Sequence, residues 1–498
     1  MQKLKKEILS HKLNYFLLGM TLVIGLFVRI YRTRSVLGFY FDQGRDALVI
    51  WDLIHKGKLF LIGPTTGIAG IFRGPFYYYL IAPFYWLGKG NPVWPAIFLA
   101  VTTMAAVVLI YYLTAKLIDR TTGLFAAIIA SISFYMMLAS RWLSNPTPML
   151  LLSVLLVWMM YLATQGKKWA WPAMVFIAGS SLFHFGSAGE LFYFVAILIF
   201  FIWQKGYKLP FKWIALGIVA GLITAAPLVL FDLKHDGILR NNILKFFVTD
   251  QSFKLSLWEV AKTRFAFYYD TFTVKIFLDQ KTLEKFLLAG VGASFVVFLP
   301  KFWKNTLIRI SVLLLASLCI GLLFFQGNQG NIYDYYLTGY YMIFILLFAV
   351  ALGQLWKYIP GKVFVIIFFA VFLRANLIID WYKISAGYDG PGTIVMGNQL
   401  QAIDWIYQEA AGRPFNVDVY VPPVIPYAYD YLFKWYGGDI KGAEPKTELV
   451  PLLYTLVEDD PPHPDRRDPW LVRQDGIGRI VKEATFGGIV AQERVRIK

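Results

Sequence analysis

Residues 39–56 read FYFDQGRDALVIWDLIHK, and residues 71–88 read IFRGPFYYYLIAPFYWLG. Together they fill most of the connector 32–92 that follows the first long apolar run. Neither is a random loop. Within 44–56, Ala47, Leu48, Ile50, Trp51, Leu53 and Ile54 recur at helical spacing. Within 75–88, a proline opens a run of Phe, Tyr and Trp. Both segments predict short helices lying in a membrane interface, where Tyr and Trp are favoured. Asp42, Gln43, Arg45, Asp46 and Arg73 place charge and polarity at the same level.

On either side, apolar runs of membrane-spanning length alternate with short connectors. A helix needs roughly 20 apolar residues to cross the hydrocarbon core. The predicted spans are 13–31, 93–117, 121–139, 147–164, 169–183, 187–203, 211–231, 283–300, 306–325, 335–355 and 360–379. With the N-terminus inside, the inner connectors are AKLIDR, QGKKW, QKGYKLPFK, PKFWKN and WKYIPGK, and each holds Lys or Arg. That agreement follows the positive-inside rule and sets the expected topology, a multi-pass protein of the plasma membrane. The other connectors carry SRWLSNPTP, HFGSAGE and GNQGNIYDYY, and all of these fall on the outer side. The first run lacks a small-residue cleavage site and is read as a retained helix.

Composition agrees. The chain is 58% hydrophobic, 16% charged and 18% aromatic, with a mean hydropathy of +0.55, well away from a soluble globule. Its formal charge of +17 is no nucleic-acid signal. Residues 381–498 hold 13 basic and 16 acidic side chains, and the 35 basic and 15 acidic residues before them carry the excess. The single cysteine, Cys319, excludes a disulfide framework or a CxxC pair within one chain.

The tail changes character. NQLQAIDWIYQEA predicts a helix, FNVDVYVP a strand, YAYDYLFKWYG a helix, and LLYTLVEDD and GGIVAQERVRI strands. The expected fold is an α-helical polytopic membrane domain over residues 1–380, with about eleven transmembrane helices and interfacial helices in the first outer loop. A small extracytoplasmic α/β domain follows over 381–498.

Candidate chemistry clusters on the outer side. Asp42 precedes the first interfacial helix and reads either as an N-cap or as a general base on a dry, membrane-backed face. Asp46 lies four residues on, with Gln43 and Arg45 between. Arg73 stands where a guanidinium meets phosphate, either of a substrate or of bulk lipid. Arg141 and Asn145 close the third span, His184 and Glu190 flank a connector, and Asp334 and Tyr336 open the tenth span. P-loop, HExxH and GxSxG motifs are absent from the sequence. Ionisable residues are sparse in mid-span, which speaks against a proton-coupled transporter.

The order of these motifs resembles the C-type glycosyltransferase superfamily. It is most similar to the branch of protein O-mannosyltransferases, lipid A aminoarabinose transferases and galacturonosyl transferases. Members often read Asp-Glu-x-x-Tyr in the first outer loop; here the stretch is Asp42-Gln43-Gly44-Arg45-Asp46. They then read His- or Lys-Pro-Pro before Leu and aromatics; here it is Arg73-Gly74-Pro75-Phe76-Tyr77-Tyr78. The likeness covers residues 10–230 by motif and 283–380 by topology.

The resemblance implies inverting transfer of a sugar from a polyprenyl-phosphate donor to a lipid, glycan or protein acceptor at the extracytoplasmic face. It implies Asp42 as general base, with Arg73 and Arg141 holding the leaving lipid phosphate. Arg45, Asn145, His184 and Tyr336 would line the sugar and carrier pocket. Gln43, Asp46 and Asp334 complete the expected substrate-binding set. Gln43 stands where a second acid is usual, so no metal or other cofactor is expected. The runner-up reading is a transporter or flippase of lipid-linked glycan, which needs a polar path through both leaflets.

Overall fold

The computed structural model describes residues 7–66, 70–245, 256–325, 331–385, 392–422 and 425–497. The start of the basic N-terminal stretch and residues 327–330 of GNQGNIYDYY lie outside them. The bundle begins with α1 (Lys12–Ile30), the interfacial helices α2 (Phe41–Lys56) and α3 (Phe76–Leu87), and α4 (Val93–Leu117). Next come α5 (Arg120–Ile132) and α6 (Phe134–Arg141), bent by 60° into one broken span, then α7 (Met149–Thr164) and α8 (Ala170–Ser180). After these follow α9 (Leu191–Trp203), α10 (Phe211–Lys234), α11 (Leu257–Thr273), α12 (Thr282–Val297), α13 (Thr306–Leu323), α14 (Tyr341–Leu355) and α15 (Ile359–Ser385).

Among the described residues, six helices are long and apolar enough to cross a membrane, and the bent α5–α6 pair makes a seventh. Three of the expected spans are shorter apolar helices, over 149–164, 170–185 and 188–203. The chain is a multi-pass membrane protein. The bend between α5 and α6 lies at Ser133, whose hydroxyl caps α6 through the Met136 N–H and also donates to the Lys275 carbonyl at 2.6 Å. Here the polar group replaces helix continuation with a cap and a tertiary bond.

Shortening of the fifth and sixth spans has a local cause. Residues Ser181–Phe185 form a π-helical turn, and a short 3₁₀ turn, Ala188–Glu190, follows. Such turns release carbonyls from the helix ladder and recur at functional sites. The freed carbonyls are taken by other chain segments, as described below.

The C-terminal part contains α16 (Met396–Ala410), β1 (Asn416–Tyr420), α17 (Tyr427–Leu432), β2 (Leu452–Glu458), α18 (Pro464–Ile477), β3 (Gly478–Phe486) and β4 (Ile489–Arg496). The sheet order is β1-β2-β4-β3. The pair β1–β2 is parallel, with Val417 opposite Tyr454, and β4 pairs antiparallel with both β2 and β3. Parallel pairing requires a crossover, which α17 and the helical turn Phe433–Ile440 supply. Helix α18 and strand β3 are additions to the sequence expectation. Pro464 suits the first turn of α18, where its missing N–H is harmless.

This domain rests on the loop 32–92. The Met396 N–H donates to the Leu37 carbonyl at 2.9 Å, and Gln399 Nε2 to the Phe39 carbonyl at 3.0 Å. Trp435 Nε1 donates to the Lys89 carbonyl at 2.9 Å. At Gly44 a Cβ would come within 2.3 Å of the Ala428 backbone, so α17 can lie on α2 only because residue 44 has no side chain.

Candidate active site

Helix α2 begins at Phe41, with Tyr40 as the residue before its first turn. Asp42 is therefore inside the first turn, not the N-cap that its sequence position allowed. The cap is made by Gln43, whose Oε1 accepts from the Tyr40 N–H at 3.1 Å while its Nε2 donates to the Leu143 carbonyl at 3.2 Å. Both ends of Gln43 are thus occupied by backbone, and it fixes the helix start rather than facing a cavity. Asp42 is left pointing outward, with its side chain 59% exposed.

Arg45 joins the two acids. Its Nη1 lies 2.9 Å from Asp42 Oδ1 and donates to Thr65 Oγ1 at 2.7 Å. Its Nη2 and Nε reach Asp46 Oδ1 at 2.7 and 3.0 Å. The Tyr78 hydroxyl donates to the same oxygen at 2.7 Å. Burial pushes Asp46 up to about 6, against the pull of Arg45 and Tyr78. Burial also opposes the charge of Arg45, but Asp46, Tyr78 and Asp42 outweigh it and raise its pKa above the ordinary value. Buried Asp46 anchors Arg45, and Arg45 orients Asp42.

Thr65 leads to the second feature, because Thr66 lines an apolar groove of about 570 Å³. Ile71, Phe72, Leu228 and Leu239 wall it, and Arg73, Tyr335 and Tyr336 stand in it. Arg73 donates to the Gly186 carbonyl, one of those beyond the π-turn. Burial depresses its pKa, while Glu190 and the two tyrosines oppose that from a distance. It is a cation held in the wall of a largely apolar groove, whose other charged residues are Asp232 and Arg240.

Two expected pocket residues have a different task. His184 is fully buried, stacked on Phe76 with ring centres 3.7 Å apart. Its Nδ1 faces the Phe76 N–H at 3.4 Å and its Nε2 contacts the Thr224 carbonyl at 2.7 Å. Nδ1 accepts and Nε2 donates, so the imidazole is a latch between the first loop and α10. Asn145 Nδ2 donates to the Phe185 carbonyl at 2.7 Å and likewise braces the π-turn. Gly74 completes the latch, because a Cβ there would sit 2.1 Å from the His184 ring. That contact accounts for glycine at this position.

The structure also parts two arginines that the sequence pairs on one phosphate. Arg141 donates to the Val28 and Tyr31 carbonyls at 2.8 and 3.0 Å and lines a different cavity, together with Asp334. Of the two, Arg73 lines the apolar groove, which also holds Arg240 and Asp232. Tyr335 borders both spaces and Tyr336 only the groove. Among the described residues, no three His, Cys, Asp or Glu side chains converge on one point that could hold a metal ion.

Sequence reasoning missed Lys275, Tyr78 and Thr65. Tyr78 and Thr65 carry no signal beyond their neighbourhood. Lys275 does carry one: it is a lysine flanked by apolar residues in a connector on the side expected to be lysine-poor.

Over 97% of this chain and 98% of its own, the apo crystal structure of ArnT from Cupriavidus metallidurans superposes with TM-score 0.58 at 11% identity. The chain has the C-type glycosyltransferase fold. ArnT from the same organism bound to undecaprenyl phosphate is similar to 96% of this chain over 97% of its own, with TM-score 0.56 and 12% identity. A family model described as dolichyl-phosphate-mannose-protein mannosyltransferase matches residues 73–231. No curated protein sequence matches. Within this C-type fold the matched segment starts at Arg73 and ends in α10, so it contains the latch, the π-turn and part of the apolar groove.

Proposed function

We propose that the chain transfers a sugar from a polyprenyl-phosphate donor to an acceptor hydroxyl at the extracytoplasmic face, with inversion at the anomeric carbon. One observation carries this reading: Thr66 lines an apolar groove that also holds Arg73, and its neighbour Thr65 binds the Arg45 that pairs with the carboxylate of Asp42. The undecaprenyl phosphate bound by ArnT, which shares this fold, supports the same class of donor.

The prenyl chain lies along Phe72, Leu228 and Leu239, and the phosphate meets Arg73 and Tyr336. Asp42 takes the proton of the acceptor hydroxyl. The hydroxyl oxygen bonds to the anomeric carbon from the face opposite the phosphate. The carbon–oxygen bond to phosphate breaks, its electron pair leaves with the lipid phosphate, and Arg73 offsets the charge that develops there. Arg45 keeps Asp42 oriented, and its own charge is anchored by Asp46. Asp42 is reached from the end of the bundle that bears the C-terminal domain, which the topology reading places outside. That domain, over about 381–498, closes the site from above.

The test is sugar transfer by purified protein in nanodiscs with a panel of polyprenyl-phosphate sugars, beside D42N. Transfer by the parent protein alone supports both the class and the base. Silence with every donor, with lipid-linked oligosaccharide crossing between leaflets, would favour the flippase.

A further inference from the structure

A second pair of cavities lies across Tyr335 from the donor groove. The first, about 340 Å³, sits under the C-terminal domain. Arg141, Lys275 and Lys383 line it against a single acid, Asp334, with Tyr40 and Tyr341. Lys275 is the unusual member. It is 2% exposed, and its Nζ lies 4.5 and 4.4 Å from the ring centres of Tyr135 and Tyr341. Asp334 Oδ2 is 3.7 Å away, beyond a charge-assisted hydrogen bond, and its side chain is 60% exposed. Burial pulls the ammonium down to about 8, against Asp334. A buried ammonium so weakly paired is costly, and an anion in the cavity would complete its shell.

The second cavity, about 440 Å³, is apolar and runs between α11, α12 and α14, with Thr273, Leu288, Phe344 and Phe348 on its walls and Lys285 among them. The two spaces have separate linings and are neighbours across Phe272. Lys275 follows Thr273 by two residues. Tyr341 and Phe344 are three apart on α14, and the Phe272 ring touches both, at 6.5 and 5.0 Å between centres. A cationic chamber next to an apolar channel offers the two chemistries of one amphiphile.

We infer that this paired cavity binds the acceptor, and that the acceptor is an anionic lipid, its headgroup at Lys275 and Arg141 and its acyl chain against α12 and α14. The inference rests on the transferase reading above and names the second substrate. Tyr40 lines the head chamber two residues before Asp42, and Tyr335 borders both chambers, so donor phosphate and acceptor head approach from opposite sides. The acceptor hydroxyl loses its proton to Asp42 as its oxygen bonds to the sugar, and the polyprenyl phosphate leaves on the Arg73 side. A peptide acceptor would have no use for the apolar channel, and a neutral lipid none for the three cations.

The experiment is photolabelling of the full chain in phosphatidylcholine nanodiscs. The probes are phosphatidylglycerol and phosphatidylcholine carrying the same diazirine acyl chain, and a diazirine undecaprenyl phosphate. Phosphatidylglycerol should label α12 and α14 at least about tenfold more than phosphatidylcholine. K275M should remove that preference and K275R should keep it. G292F fills the channel from a position where a Cβ meets nothing within 4 Å, so it should cut the labelling without unfolding the protein. Both K275M and G292F should leave undecaprenyl phosphate labelling around Arg73 intact. Equal labelling by the two phospholipids, indifference to K275M and G292F, or labels spread evenly over all lipid-facing helices would overturn the inference. Loss of undecaprenyl phosphate labelling near Arg73 in the parent protein would instead overturn the donor reading.

Discussion

Arg45 stands between Asp42 and Asp46, 2.9 Å from one carboxylate and 2.7 Å from the other. The two acids have opposite surroundings, since Asp46 is buried and Asp42 is 59% exposed. A buried acid that anchors an arginine and an open acid that the arginine steers are different instruments, although their sequence spacing treats them alike.

Removing the open acid should stop chemistry and spare binding. D42N should lower single-turnover transfer by about 10²–10⁴-fold, the range of a positioned base. Affinity for undecaprenyl phosphate should stay within about twofold. Activity within a few-fold of the parent would remove Asp42 from the base role.

Charge removal at Arg73 should act on the lipid phosphate. R73M should weaken undecaprenyl phosphate binding by about tenfold or more, the loss of one charge-assisted contact in an apolar setting. Binding of the uncharged prenyl alcohol should hardly change. Equal losses for both ligands would mean that the groove itself had collapsed.

The raised pKa of Asp46 has a sign that can be checked. The folded protein holds this proton up to about pH 6, whereas the free carboxyl gives it up near its ordinary value of 3.8. The folded state therefore binds more protons over that window, and this contribution to stability is full below it and lost as pH rises through 6. Melting temperature should fall from pH 4.5 to pH 7 more steeply in the parent than in D46N. Parallel slopes in the two proteins would contradict the assignment.

Gly74 should tolerate no side chain. G74A forces a methyl to within 2.1 Å of the His184 ring, and overpacking of this kind costs about 1–3 kcal/mol. A fall in melting temperature should accompany weaker donor binding, because Arg73 is the next residue. H184A should partly relieve G74A, so the double variant should be less destabilised than the two single effects added together.

Arg45 already satisfies Asp42 and Asp46, so these carboxylates have little need of a divalent ion. Transfer should survive chelation by EDTA within about twofold. Loss of activity, restored by one added cation, would show that a metal binds in place of the Arg45 contacts.

Much of this architecture was legible because the signals are local. Apolar length marks α1, α4, α10 and α15 one at a time, and the lysines of alternate connectors supply the expected topology. Interfacial aromatics marked α2 and α3 in the same way. The tail was legible where its strands alternate, as in β1, and silent at α18, which carries Pro464 and Pro469. The π-turn at Ser181–Phe185 left no trace in hydropathy, since its residues are as apolar as a helix interior.

Roles within the site divided along the same line. Residue type and position alone marked Asp42, Arg45 and Arg73, because charge beside an interfacial helix is costly unless it is used. Type alone did not show that His184 and Asn145 bind backbone groups from segments far away in the chain. It passed over Lys275, whose setting between Tyr135 and Tyr341 joins residues more than 130 and 60 positions distant. Hydropathy and charge are properties of short stretches, and they determined by themselves that this is a multi-pass membrane protein with polar chemistry gathered at one end of the bundle. Which polar groups are spent on holding the chain and which remain for a ligand depends on partners that only packing brings together, and the tertiary structure alone decided it.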